Sequence, residues 1–169
     1  MTRDELEHEL ARLHGESFGW AMACCGRDRD LAADALQSAY LRVVSGQARF
    51  GGRSRFKTWF FGVVRMTALE EMRRVRRLHE STVDVADAAL IASPDPGPDA
   101  LPAEDVAKAL ASLPDRQRET AQLVFYHGLT VAEAAAVMGV SLGSARTHYD
   151  RAKRALANAL AALGPERER

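Results

Sequence analysis

The sequence predicts an all-α protein built as two small helical domains joined by a flexible linker. Three features predict it. Apolar residues recur at helical spacing in every long segment and nowhere alternate as a strand would. A proline-rich acidic stretch divides the chain, and the C-terminal third carries two helical patterns separated by a short turn. At 169 residues with 47 % apolar content, the chain has enough material for cores rather than disorder.

The first domain is expected over residues 1–80, with helices at Glu5–Ala23, Asp28–Val44 and Phe56–Leu78. In the second of these Leu36, Tyr40, Val43 and Val44 follow one face, and Leu31, Ala35 and Ala39 widen it into a stripe broad enough to pack on two neighbours. Residues 81–102 read as the linker, because Pro94, Pro96, Pro98 and Pro102 stand there with Asp84, Asp87, Asp95 and Asp99. The second domain, residues 103–169, is expected to hold helices at Ala103–Ser112, Pro114–Tyr126, Thr130–Met138 and Leu142–Leu163. Pro114 suits a first turn, where its missing N–H has no intrahelical partner to lose. Thr130-x-x-Glu133 is a capping box, Gly139 stops the helix that follows it, and Ser141 can cap the last one.

Composition narrows the function. No run approaches the roughly 18 consecutive apolar residues of a membrane span, and the segment from Met1 to Glu5 has no apolar stretch like a signal peptide, so a cytoplasmic protein without membrane insertion is expected. The two cysteines, Cys24 and Cys25, are neighbours with neither zinc spacing nor a disulfide framework; they read as packing residues near a helix end, with a redox-sensing pair as the weaker alternative. The five histidines show no metal spacing, and no cofactor is implied. Formal net charge is zero, but by cancellation. Arg49–Arg77 holds nine Lys or Arg against two acids; Ser81–Asp105 holds six acids and no base; Val106 to the end holds nine bases and six acids. Basic ends around an acidic middle suggest two modules that bind a polyanion, joined by a segment that does not.

Gly128–Leu156 has the spacing of a helix-turn-helix. Val131, Ala134, Ala135 and Met138 make the inner face of its first helix, and Val140 plugs the turn. In the second helix Ala145, Tyr149, Ala152 and Leu156 face inward, which turns Arg146, Thr147, Asp150, Arg151, Lys153 and Arg154 outward. Such a face suits DNA: arginine bonds guanine bidentately, Thr147 meets a thymine methyl or a phosphate, and Asp150 accepts from a cytosine amino group. Gly139-Val140-Ser141-Leu142-Gly143 formally matches a serine nucleophile elbow. That reading fails, because an elbow needs a strand before its serine and an acid, then a histidine, after it. No catalysis is expected.

The first domain supplies a second patch, Phe56–Arg77, preceded by the basic, glycine-containing Ala48–Arg55. Aromatic rings beside arginines are what a single-stranded nucleic-acid binder uses. Trp59, Phe60 and Phe61 cannot all face one way on a helix, so Trp59 reads as core rather than a stacking platform. The cluster Arg73, Arg74, Arg76 and Arg77 is left as a cationic end.

Taken together, the acidic helix Asp34-Ala35-Leu36-Gln37-Ser38-Ala39-Tyr40-Leu41-Arg42-Val43, the segment from Arg49 to Trp59, the arginine-rich helix end, the proline-acid linker and the terminal helix-turn-helix resemble regions 2 and 4 of extracytoplasmic-function (ECF) sigma factors. The linker stands where larger sigma factors carry another domain. The resemblance implies that Asp34, Gln37, Tyr40 and Leu41 dock on the clamp helices of the beta-prime subunit of core RNA polymerase. It implies that Arg53, Arg55, Lys57, Met66, Arg73, Arg74 and Arg77 engage the minus-ten promoter element. Ser144, Arg146, Thr147, Asp150, Arg151 and Lys153 correspondingly read the minus-thirty-five element. An anti-sigma factor is an expected further partner.

This chain departs from the family's pattern at Ser38, where a glutamate is usual, and at Met66, where an asparagine is usual. The first removes a charge from the polymerase interface and the second a hydrogen-bonding group from the pocket for a flipped base. Two alternatives therefore stand beside a promoter-specific initiation factor: a sigma-like decoy that binds a regulatory partner, and an ordinary helix-turn-helix regulator with an N-terminal sensing domain.

Overall fold

Apolar residues at i, i+3 and i+4 leave each segment with one face to bury, and every described element is helical. The computed structural model describes residues 1–80 and 103–163. The expected linker at 81–102 lies outside them. The chain divides into two compact units, one holding the N-terminal helices and one most of the C-terminal ones.

In the N-terminal unit α1 is Arg3–Arg12, α2 His14–Cys24, α3 Arg29–Val44 and α4 Phe56–His79. Thr2 and Glu5 form a reciprocal capping box on α1, and Asp28 caps α3 by accepting from the Leu31 amide at 3.0 Å. The single helix expected over Glu5–Ala23 is instead two, divided at Leu13, which ends α1 and begins α2 with φ −90° and ψ 0°. Leu13 is fully buried while Gly15, a poor helix former, follows it; packing of this side chain outweighs the continuity of the apolar pattern.

Helices α2, α3 and α4 pack on one another in all three pairings. Because α4 meets two neighbours, both Phe60 and Phe61 are fully buried, together with Trp20 and Val64. Trp20 Nε1 donates to the Phe61 carbonyl at 3.1 Å, and the two rings stack with centroids 6.0 Å apart. Thr67, also buried, donates back to the Val64 carbonyl at 2.9 Å, which satisfies its hydroxyl. Leu36, Ala35, Ala39 and Val43 are buried as the pattern requires. Val44 is not: it sits in the last turn of α3, on the rim of an open groove lined by Leu10, Ala11, His14 and Tyr40. Cys24 ends α2 and Cys25 lies buried beyond it. Burial, with Asp28 and Glu71 nearby, pushes the Cys25 thiol up to about 12, so it is protonated and a poor nucleophile at neutral pH.

In the C-terminal unit α5 is Ala103–Ala111, α6 Asp115–Ala121, α7 Val131–Met138 and α8 Leu142–Leu163. Pro114 is the residue flanking α6 rather than its first turn: its ψ of 148° is extended, while its carbonyl accepts from the Arg118 amide at 2.9 Å. The helix expected to run to Tyr126 changes character at Gln122 and finishes as a π-turn over Gln122–Tyr126, with the His127 amide donating to the Gln122 carbonyl at 3.0 Å. Arg118 closes the end of α5 by donating to the carbonyls of Ala111 and Leu113, each at 3.3 Å. Leu113, Ala121 and Ala152 form one buried cluster, with Leu110, Ala155 and Leu156 around it.

Candidate nucleic-acid interface

Helix α7, the turn after it and the start of α8 are each fixed by local bonds. Thr130 Oγ1 accepts from the Glu133 amide at 3.2 Å, and Glu133 accepts from the Thr130 amide at 2.9 Å, the reciprocal cap read from the sequence. Gly139 then adopts φ +64°. Its amide donates to the Ala136 carbonyl at 3.4 Å and that of Val140 to the Ala135 carbonyl at 3.1 Å, the double closure of a Schellman motif. Two residues later Ser141 Oγ accepts the Ser144 amide at 3.1 Å and so caps α8.

With α8 so oriented, Ala145 and Ala152 are fully buried. Tyr149 and Leu156 are half-buried beside them, and Ser144, Arg146, Thr147, Asp150, Arg151, Lys153 and Arg154 are exposed. Thr147 Oγ1 donates to the Gly143 carbonyl at 3.1 Å, and the hydroxyl oxygen keeps its capacity to accept. Asp150 pairs with Lys153 at 3.4 Å. Lys153 Nζ also lies 4.5 Å from the centroid of the Tyr149 ring. The result is a single face able to meet phosphates through its cations and base edges through its polar side chains.

In the N-terminal unit the second patch lies along α4. Gly52, with φ +68°, turns the loop before it, Arg53 and Arg55 are exposed, and Arg55 is the residue flanking the helix start. Phe50, Phe56, Trp59 and Phe60 form one aromatic cluster with neighbouring centroids 5.3 Å apart at Phe56–Trp59 and 5.4 Å at Phe50–Trp59. Trp59 is half-buried in it, neither the core residue expected nor an open platform. Met66 is 60 % exposed. Arg73, Arg74 and Arg77 are exposed towards the C-terminal end, Arg74 donating to Glu71 at 2.8 Å. Lys57 is turned away from open solvent: it pairs with Glu16 of α2 and lies 5.5 Å from the Phe61 ring centroid.

The α3 face presents Asp34, Gln37 and Leu41 at i, i+3 and i+7, all exposed, Leu41 by 64 %. Tyr40 differs from them. Its ring stacks on Phe60 at 5.6 Å and on His14 at 6.0 Å, its hydroxyl bonds His14 Nδ1 at 2.9 Å, and burial raises its phenol above the usual range. Ser38 is half-buried on the same helix. The Arg42 guanidinium, held to Glu70, ties α3 to α4, and that bond raises its pKa further. Sequence reasoning missed this link and the Glu16–Lys57 pair, since neither partner is near the other in the chain and only the packing of the helices brings them together. Among the described residues no group of His, Cys, Asp and Glu has the arrangement of a metal site.

This geometry defines a two-unit helical protein with a helix-turn-helix at its C-terminal end and cationic surfaces on both units. Residues 10–78 match the family described as Sigma-70 region 2, and residues 103–156 match Sigma-70, region 4. The chain is 32 % identical over 164 residues to the ECF RNA polymerase sigma factor EcfG of Rhodopseudomonas palustris, covering 96 % of this chain and 89 % of that one. It is 31 % identical over 140 residues to the ECF RNA polymerase sigma factor SigC of Mycobacterium tuberculosis, covering 81 % and 74 %. Its fold is similar to that of the sigma factor RpoE of Bartonella quintana, solved in complex with the anti-sigma factor NepR, with a TM-score of 0.78 and 25 % identity over 92 % of this chain and 96 % of the other. The chain belongs to the ECF family of RNA polymerase sigma factors.

Proposed function

We propose that this protein binds core RNA polymerase through the exposed edge of α3 and directs it to promoters by two separate DNA contacts, and that it performs no chemistry itself. The observation that carries the reading is the outward face of α8, where Arg146, Thr147, Asp150, Arg151 and Lys153 are exposed together on a helix capped at its start. The second contact is the α4 surface of Arg53, Arg55, Met66, Arg73, Arg74 and Arg77 beside the aromatic cluster. Lys57 belongs to this surface through its neighbours more than through its own charge, which Glu16 holds. Asp34, Gln37 and Leu41 offer polymerase a charged and apolar edge, with Tyr40 setting its floor.

The mechanism is bipartite. Each small domain has few contacts and binds weakly, and phosphate contacts alone carry no sequence information. Core polymerase that fixes the two domains at a set distance makes the second contact intramolecular, so specificity arises from their product. Phosphodiester bond formation belongs to the polymerase. The site of action is the cytoplasm, where promoter DNA and polymerase are; no helix among the described residues is long and apolar enough to cross a membrane. The anti-sigma factor bound to the Bartonella quintana relative makes such a protein the expected regulator of this chain as well.

Transcription in vitro with purified core polymerase on a pool of genomic promoter fragments tests the reading, with permanganate footprinting to detect the opened bubble. Specific open complexes are expected. A protein that binds core and opens no promoter in the pool overturns the initiation reading in favour of the decoy.

A further inference from the structure

One aromatic contact in the C-terminal unit joins an exposed ring to a half-buried one. Phe125 belongs to the π-turn that ends α6 and is 55 % exposed. Its ring stacks on Tyr149 of α8, with centroids 5.5 Å apart and planes 29° apart. Tyr149 in turn carries the Lys153 ammonium, 4.5 Å from its centroid, and Asp150 holds the same ammonium at 3.4 Å. A π-turn is a rare departure from the regular helix, and where one occurs it is often tied to function. Here it ends in the residue pair whose first member reaches the recognition helix.

We propose that Phe125 is a positioning residue for promoter reading: it buttresses Tyr149, whose ring seats Lys153 on the DNA-facing side of α8. The proposal rests on the reading of α8 as the helix that contacts the minus-thirty-five element. A lysine on a free four-carbon stem loses rotamer entropy when it meets a phosphate or a base. A ring beneath the ammonium and a carboxylate beside it leave less entropy to lose at binding, which is preorganisation. Phe125 lies outside the helix-turn-helix in sequence, so it sets the aim of a contact it does not make. The cation–π contact itself requires only the ring of Tyr149, not its hydroxyl.

Two measurements on the full chain test this. In the free protein, proton NMR reads the ring-current displacement of the Lys153 ε-methylene signals. That displacement is expected to persist in Tyr149→Phe, to vanish in Tyr149→Ala, and to shrink in Phe125→Ala while Phe125→Tyr restores it. With core polymerase present, binding is measured on a duplex selected by the wild-type holoenzyme from a library randomised upstream. Phe125→Ala is expected to weaken binding about two- to fivefold, the size of one exposed cation–π contact. Lys153→Ala should do at least as much, and the double variant should be no weaker than Lys153→Ala alone.

Losses that multiply in the double variant, or an unmoved Lys153 signal in a folded Phe125→Ala protein, overturn the proposal and leave the sigma-factor reading intact. A Lys153→Ala variant with full affinity also overturns it, because there is then no contact to position. Failure of the wild-type holoenzyme to select any duplex is the separate outcome that refutes the underlying reading. If Phe125→Ala does not fold, Phe125→Leu carries the same comparison, since it keeps apolar bulk and removes the stack.

Discussion

Gly139 is the position where a single methyl group should tell most about the turn that aims α8. Its φ of +64° is left-handed, and an added Cβ would meet nothing within 4 Å, so Gly139→Ala carries a backbone cost with no steric one. An L-residue forced into that region loses roughly 1–2 kcal/mol, against which the stiffer unfolded chain returns about 0.4–1 kcal/mol. The net expectation is a loss of about 1 kcal/mol, or roughly fivefold in the folding equilibrium. Gly143, four residues on, is the built-in control. It lies in the first turn of α8 without a positive φ, and its Cβ would meet Ser141 Oγ at an ordinary 3.9 Å. Gly143→Ala should therefore stabilise by up to about 0.4–1 kcal/mol, the same chemical change with the opposite sign. Urea denaturation followed by far-ultraviolet circular dichroism measures both. Gly139→Asn should fall between wild type and Gly139→Ala, since asparagine enters the left-handed region more readily. Equal stability of Gly139→Ala and wild type, or equal damage from the two alanine variants, refutes the argument from backbone conformation.

Other positions separate stability from recognition. Trp20→Phe keeps an aromatic ring against Phe61 but removes the buried N–H and some volume; a loss of about 2 kcal/mol in thermal or urea unfolding is expected, and an unchanged midpoint would show that the bond to the Phe61 carbonyl contributes nothing. Asp34→Arg, on an exposed position, should reduce capture of core polymerase in a pull-down without changing helix content, and undiminished capture removes α3 as the docking edge. Arg146→Ala should relax base preference at particular upstream positions, each bidentate contact being worth about 1–3 kcal/mol, whereas a uniform loss across a randomised library means that Arg146 holds phosphate. Met66→Asn should change preference at a single minus-ten base while core affinity stays constant and stability moves by less than about 0.5 kcal/mol; an unchanged footprint and preference removes Met66 from the base pocket.

The architecture was legible because its signals are local. Capping residues, Gly139 and the apolar spacing of α8 each act within a few residues of one another, and the bonds they predict are present at Thr130, Ser141 and Val140. The break at Leu13 was not legible, because a continuous apolar pattern is compatible with one helix or two and only tertiary packing selects between them. The π-turn at Gln122–Tyr126 escaped for a similar reason: periodicity measured over a few turns does not resolve one inserted residue. On the candidate surfaces, exposure of Arg146 followed from helical phase, while Asp34 and Met66 were singled out by the family resemblance and are exposed. The tethering of Lys57 by Glu16 did not, since it depends on how α2 lies beside α4.

That difference bears on which surface residues can be interrogated cleanly. Substituting an exposed side chain with no structural partner usually moves stability by less than about 0.5 kcal/mol, so a loss of binding at Asp34, Gln37 or Leu41 can be assigned to the interface. Tyr40 and Lys57 do two things at once. Tyr40 sits between Phe60 and His14 and bonds the latter; truncating it loosens α2, α3 and α4 together before any partner is met. Lys57 links α4 to α2 through Glu16 and lies over the Phe61 ring, so a neutral replacement removes both contacts and leaves the Glu16 carboxylate without this cation. For these two, an alanine that abolishes function says nothing about contact. The informative changes are those that keep the packing and alter one group: Tyr40→Phe retains the stack on Phe60 and drops the bond to His14, and Lys57→Arg keeps a cation for Glu16 while changing its shape and donors. Lys57→Arg keeps its tether, so a partner that distinguishes it from wild type reads the cation; Tyr40→Phe also loses the bond to His14, so its loss of binding counts as contact only where the unfolding midpoint is unchanged.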